Sequence, residues 1–77
     1  MKAKVILTGS LQSILEDRPK EVMLEVDQPV SIRQLLIQMG INPRIVMKVF
    51  VDGIQREKGD QIDKEAEIIL MGPVAGG

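Results

Sequence analysis

One segment of this sequence carries a complete set of helix features, from its first residue to its last. Ser31 is a good N-cap, and Gln34 follows it at the spacing of a capping box. The apolar residues of the segment repeat at intervals of three and four and so share one face: Ile32, Leu35, Leu36 and Met39. Gly40 stands where a left-handed residue ends a helix. We therefore expect one helix of about two turns with one buried face.

Short stretches typical of β-strands lie on both sides of this helix. Two precede it and three follow it, over residues 2–8, 21–26, 46–51, 54–55 and 67–71. Asp52-Gly53 is a hairpin turn sequence, Leu11–Leu15 indicates a further helical turn, and Ile62 is expected to anchor a polar loop over residues 56–66. This order predicts an α+β fold with the helix packed on one face of a mixed sheet.

The composition limits the chemistry that is available. The 77 residues make one domain, of which 44% are hydrophobic, and they include neither cysteine nor histidine, so we expect no metal site. Ten basic residues against eleven acidic ones lack the positive charge that nucleic-acid binding needs. The apolar run near Met1 is too short for a membrane span, so we expect a soluble cytoplasmic protein. Five basic residues could contact an acidic partner, although most such charges are solvated: Arg18, Lys20, Arg44, Lys48 and Arg56.

Alternation along the strands assigns their residues to two faces of the sheet. The residues expected to face the helix are Val5, Leu7, Val22, Leu24, Val26, Val49, Val51, Ile68 and Leu70. Four apolar residues are then expected to lie in one row on the opposite face, surrounded by charges: Ile6, Met23, Phe50 and Ile69. Such a row favours a binding surface for a protein partner. The alternatives are that Leu11–Leu15 covers this face or that the chain associates with itself.

The last residues carry the most specific pattern. Pro73-Val74-Ala75-Gly76-Gly77 cannot extend the final strand, because Pro73 has no N–H for the ladder and glycine has no side chain to pack. This run resembles the terminus of the ThiS/MoaD family of ubiquitin-like sulfur carriers. Leu7-Thr8-Gly9-Ser10-Leu11 is similar to the family's first strand and the glycine after it, and Val49-Phe50-Val51-Asp52-Gly53 resembles its hairpin, with Asp52 in place of Asn.

The resemblance implies a β-grasp (ubiquitin-like) fold. Its sheet has four to five strands, the first and last of them central and parallel, with one main helix on one face. The implied division is a β-grasp domain over residues 1–72 and a flexible tail over residues 73–77 that ends in Gly-Gly. The sequence departs from the family at Gly72, where many members have a second proline, and at Lys64-Glu65-Ala66, which replaces a Gly-Asp turn.

The resemblance also implies a function for the tail. In this family an activating adenylyltransferase uses ATP to adenylate the terminal carboxylate, here that of Gly77. A sulfur donor protein then forms a thiocarboxylate, and an acceptor synthase takes the sulfur for cofactor biosynthesis. The chain would be a co-substrate, or the small subunit of a sulfur-transfer complex, with no catalysis and no bound cofactor of its own. The segment Leu7–Leu11 is more typical of the MoaD branch, which favours molybdopterin over the thiamine thiazole as acceptor; other relatives serve tRNA or are joined to protein lysines.

The tail residues suit such a role physically. Gly76 and Gly77 have no Cβ and can pass through a narrow channel. Fully extended, Val74, Ala75 and the two glycines would reach roughly 13 Å at ~3.3 Å per residue, from a root that Pro73 stiffens. The alternative is a ubiquitin-like protein modifier, or a plain binding module that uses the sheet face and has an ordinary frayed terminus.

Overall fold

The computed structural model describes residues 1–73, which form seven strands and three short helices. In chain order the elements are β1 (Lys2–Thr8), α1 (Ser10–Ile14), β2 (Glu21–Glu25), β3 (Val30–Ser31), α2 (Ile32–Gln38), a 3₁₀ helix (Pro43–Ile45), β4 (Lys48–Val51), β5 (Ile54–Arg56), β6 (Gln61–Ile62) and β7 (Ala66–Met71). The five strands and the main helix expected from the sequence are all present.

The main sheet has five strands in the order β2-β1-β7-β4-β5. β1 and β7 lie side by side at its centre and are parallel, while β2, β4 and β5 join by antiparallel pairing. The expected mixed sheet with a central pair of first and last strands is therefore confirmed. The β4–β5 hairpin turns at Asp52 and Gly53, which both have positive φ values, 51° and 83°.

α2 begins with the expected capping box. Ser31 Oγ accepts a hydrogen bond from the Gln34 N–H at 3.1 Å, and the Ser31 N–H donates to Gln34 Oε1 at 3.1 Å. These two bonds satisfy N–H groups that have no partner inside the helix. Gly40 follows the last turn with φ +75°, the left-handed conformation expected there. Local sequence alone thus explains where this helix begins and ends.

The core lies between α2 and the sheet and is almost wholly aliphatic. Its fully buried side chains include Leu11, Ile32, Leu35, Leu36, Ile41, Val46, Val49, Ile68 and Leu70. The residues expected to face α2 on the central strands are buried, and Val26 is buried as well. Val22 and Leu24 are only half-buried, because β2 is at the edge of the sheet and has a neighbouring strand on one side only.

Two features differ from the sequence expectations. The loop over residues 56–66 contains β6, which pairs antiparallel with β3 through Val30–Ile62 and Ser31–Gln61. Ile62 is buried, as expected of an anchor. β4 starts at Lys48 and not at residue 46, because the 3₁₀ helix occupies the preceding segment and Val46 packs in the core after it.

Across residues 1–73, none of the helices has the length and apolar character needed to cross a bilayer.

Candidate partner surface and tail root

Three of the four residues expected on the outer face lie side by side across the centre of the sheet. Ile69 on β7 is opposite Ile6 in the parallel pairing with β1 and opposite Phe50 in the antiparallel pairing with β4. All three side chains are half-buried, while their neighbours along each strand are in the core with α2. We call Ile6, Ile69 and Phe50 the apolar row.

Met23 does not belong to this row. The register of β2 against β1 places Met23 opposite Lys4, and Glu21 opposite Ile6. Met23 is therefore on the expected face but two residues along the strand, and it is 60% exposed. Parity along a strand predicts its face, whereas the register that decides its row depends on pairing between strands. The expectation of a single four-residue row is wrong in this respect.

Charged side chains border the apolar row, as expected. Lys4 Nζ lies 3.2 Å from Glu21 Oε1, and Glu67 follows Lys4 across the parallel pairing. A shallow depression of about 280 Å³ lies beside the row, with a lining formed by Lys2, Lys4, Met23, Asp52, Glu65, Ala66 and Glu67. The outer face therefore combines an apolar centre with charges of both signs.

The Leu11–Leu15 segment does not cover the outer face. Leu11 in α1 is fully buried in the core on the side of α2, and Leu15 packs against the same core. α1 instead contacts the ends of β1 and β7. The alternative in which this segment shields the apolar row is therefore wrong.

The tail begins at the end of β7 beside α1. Gly72 is buried and Pro73 is exposed. Ser10 Oγ donates a hydrogen bond to the Pro73 carbonyl at 2.6 Å. The remaining tail residues expected at the site, Val74, Ala75, Gly76 and Gly77, lie outside the described residues. Ile69 and Pro73 are four residues apart, so the apolar row and the tail root are separated by about 13 Å at the rise of an extended chain.

Gly72 occupies a position with no room for a side chain. A Cβ built there would lie 2.6 Å from Ser10 Oγ and 2.9 Å from Leu11 Cγ. This close approach gives a physical reason for glycine where many carriers of the resembled family have proline. Sequence reasoning noted the departure at Gly72 but missed Ser10, because nothing local to Ser10 indicates a contact with a residue sixty-three positions away.

No protein-family model and no curated protein matches the chain. Solved structures do. SAMP1 from Haloferax volcanii superposes with a TM-score of 0.74 at 20% identity, covering 100% of both chains. The HVO 2177 protein of the same organism superposes with a TM-score of 0.73 at 16% identity, covering 100% of this chain and 87% of the other. The chain has the ubiquitin-like β-grasp fold. At these identities the likeness concerns the fold alone.

One charged residue of this β-grasp domain has a structural position that the sequence did not reveal. Both Nη atoms of Arg18 donate hydrogen bonds at the C-terminal end of α2, one to the Met39 carbonyl and the other to the Gly40 carbonyl. A guanidinium there satisfies carbonyls that lack helical partners and faces the negative end of the helix dipole. Arg18 therefore stabilises α2 and is not a merely solvated surface charge.

Metal ligands do not converge anywhere in residues 1–73. Within that range, no group of three or more Asp or Glu side chains is close enough together to hold an ion. In the long loop, Asp60 Oδ2 accepts a hydrogen bond from the nearby Glu57 N–H at 2.9 Å.

Proposed function

We propose that this chain is a ubiquitin-like carrier or modifier protein that an ATP-dependent activating enzyme loads at Gly77. The observation that supports the proposal most is that one strand carries both the apolar row and the tail root. Ile69 lies in the centre of the row, and the same strand leads through buried Gly72 to exposed Pro73. A partner that binds the row therefore has the start of the tail at a defined distance from its contact surface.

The partner surface in this proposal is the apolar row with Met23 and the charged border. The row is half-buried in the free protein, and a partner would gain free energy from removing its remaining exposed apolar area from water. Lys2 and Lys4 on the border supply positive charges that can orient the encounter. The expected partner is the adenylyltransferase that activates Gly77.

A sulfur carrier is the more specific role within this proposal. The Gly77 carboxylate attacks the α-phosphorus of ATP, so that an acyl-adenylate forms and pyrophosphate leaves. A donor that supplies sulfur at the oxidation level of sulfide then attacks the carbonyl carbon, AMP leaves and a thiocarboxylate remains. The carboxylate needs this activation because its oxygen is a poor leaving group. A synthase then takes the sulfur, and the segment Leu7–Leu11 favours a molybdopterin precursor over the thiamine thiazole as its acceptor.

A protein modifier is the second candidate role. In that case a lysine Nζ of another protein attacks the activated Gly77 carbonyl, AMP leaves and an isopeptide bond forms. The structural similarity to SAMP1, one of the ubiquitin-like small archaeal modifier proteins, favours this role. Both roles share the adenylation of Gly77, and in both the chain is a co-substrate and the activating enzyme supplies the catalytic groups.

The shared step is tested by ATP–pyrophosphate exchange with the activating enzyme from the same organism. The wild-type chain is compared with a variant that lacks Gly77 and with a variant that carries one added residue after it. We expect exchange with the wild type and none with either variant, because the carboxylate is displaced by about one residue, ~3.3 Å, from the α-phosphate. Exchange at the wild-type rate without Gly77 would show that the proposed activation is wrong.

The two roles are separated by the intact mass of the protein purified from its native cells. Replacement of one oxygen by sulfur identifies the thiocarboxylate of a carrier. Peptides in which Gly77 is joined to a lysine Nζ identify a modifier. An unmodified mass, together with no ATP–pyrophosphate exchange, would contradict both roles and indicate a plain binding module that uses the sheet face.

A further inference from the structure

The corner where β1 turns into α1 holds the end of β7 by side-chain contacts. Thr8 Oγ1 donates a hydrogen bond to the Leu70 carbonyl at 2.9 Å. Ser10 Oγ donates to the Pro73 carbonyl at 2.6 Å. The corner therefore contacts the chain where β7 ends and the tail begins, although the two segments are more than sixty residues apart in sequence.

Close packing at the same corner prevents the backbone at Gly72 from moving toward α1. Gly72 is buried against Ser10 and Leu11, and a Cβ at Gly72 would approach Ser10 Oγ and Leu11 Cγ to less than 3.0 Å. Leu11 is fully buried and cannot move aside without disturbing the core. The backbone before Pro73 is thus held on one side by α1.

The proline ring and the hydrogen bond from Ser10 together restrict the two backbone dihedral angles of Pro73. The pyrrolidine ring restricts its φ to about −65°. The hydrogen bond from Ser10 orients its carbonyl group and hence its ψ. We propose that Ser10 and Gly72 are positioning residues, which set the direction in which the tail leaves the domain and so present Gly77 to the activating enzyme. This inference rests on the proposed function and adds to it the residues that aim the tail.

The energetic expectation follows from preorganisation. The Ser10–Pro73 bond is exposed, so water replaces it readily and it contributes little to folding. Without it, the activating enzyme must itself order the tail root before the carboxylate meets ATP. The loss of Ser10 should therefore act on the chemical step more than on the binding of the domain.

The kinetic test compares Ser10→Ala with Ser13→Ala, an exposed serine of the same helix, in ATP–pyrophosphate exchange at varied carrier concentration. For Ser10→Ala we expect kcat to fall roughly two- to tenfold with KM unchanged, the scale of one neutral hydrogen bond. Ser10→Thr keeps the hydroxyl and should restore kcat, and Ser13→Ala should match the wild type. Gly72→Ala should lower kcat as well. Wild-type kcat for Ser10→Ala would overturn the proposal.

A second measurement needs no enzyme. The chain has no cysteine, so Val74→Cys provides a single site for a nitroxide label next to Pro73. Its broadening of backbone amide resonances maps where the label lies, and circular dichroism checks that each variant is folded. We expect the broadening pattern to change when Ser10→Ala is added and to stay the same with Ser13→Ala. An identical pattern with Ser10→Ala would overturn the proposal. If the pattern changes but the wild type supports no exchange, the proposed function fails and the positioning by Ser10 stands.

Discussion

Phe50 lies directly opposite Ile69 where β4 pairs with β7, on the face of the sheet away from α2. Their immediate neighbours Val49 and Leu70 form the next pair and are buried in the core. One residue of register thus separates a position that a partner can reach from one that only the core contacts. This relationship allows the partner surface and the core to be tested with the same substitution.

The first prediction concerns the apolar row. Phe50→Lys and Ile69→Lys should remain folded but bind the activating enzyme much more weakly than the wild type. The new ammonium group meets water in the free protein, whereas in the complex it would be desolvated without a partner, at a cost of several kcal/mol, roughly 3–5 for an unpaired charge. Titration of each variant against the enzyme measures the loss.

Two control variants separate an effect on binding from an effect on folding. Leu70→Lys introduces the same charge into the core, where Leu70 is fully buried, and should unfold the domain as seen by circular dichroism. Ile54→Lys changes an exposed apolar residue of β5 that is outside the row, 63% exposed, and should bind as the wild type does. Folded row variants with wild-type affinity would show that partners dock elsewhere.

The second prediction concerns the buried face of α2. Leu35 is 2% exposed, and Leu35→Ala should lower the free energy of unfolding by about 2–5 kcal/mol, because a cavity remains where the side chain was. Ile37→Ala on the same helix is the matched control, since Ile37 is 60% exposed and its truncation leaves no cavity. Urea denaturation of both variants provides the comparison. Equal urea midpoints for the two variants would show that the Leu35 side chain does not contribute to the core.

The third prediction concerns the capping box. Ser31→Ala removes the acceptor of the Gln34 N–H and should cost about 0.5–2 kcal/mol of stability. Ser31→Thr retains a hydroxyl and should recover most of this loss. Thermal unfolding of the three proteins at one concentration measures the difference. If alanine is tolerated as well as threonine, the 3.1 Å contact does not stabilise α2.

The fourth prediction concerns the other end of the same helix. Arg18→Ala should lower the free energy of unfolding by roughly 1–3 kcal/mol, since the Met39 and Gly40 carbonyls lose charged donors. Arg18→Lys should recover only part, because an ammonium group cannot reproduce the fork of the guanidinium. Lys20→Ala, at an exposed position two residues later, is the control and should be neutral. Denaturation curves that coincide for Arg18→Ala and Lys20→Ala would contradict the capping role.

The sequence by itself determined the elements whose causes are local. The limits of α2 follow from the Ser31–Gln34 capping box, whose two members are three residues apart, and from the left-handed φ of Gly40. Alternation along β1, β4 and β7 determined which residues face the core, because the strand repeat allows one choice of face once a buried side is required. The central position of the parallel pair came from a resemblance to known β-grasp proteins and not from propensity.

Only the tertiary structure decided the relationships between distant segments. It placed Met23 beside Lys4 and outside the apolar row, paired β3 with β6, and brought Arg18 to the end of α2. It also set Ser10 against Pro73, in a contact that spans sixty-three residues. Side-chain periodicity contains no information about strand register or about which polar group a distant serine or arginine meets. Those choices are made when the elements pack, because only then does each buried or half-buried polar group have a limited set of partners.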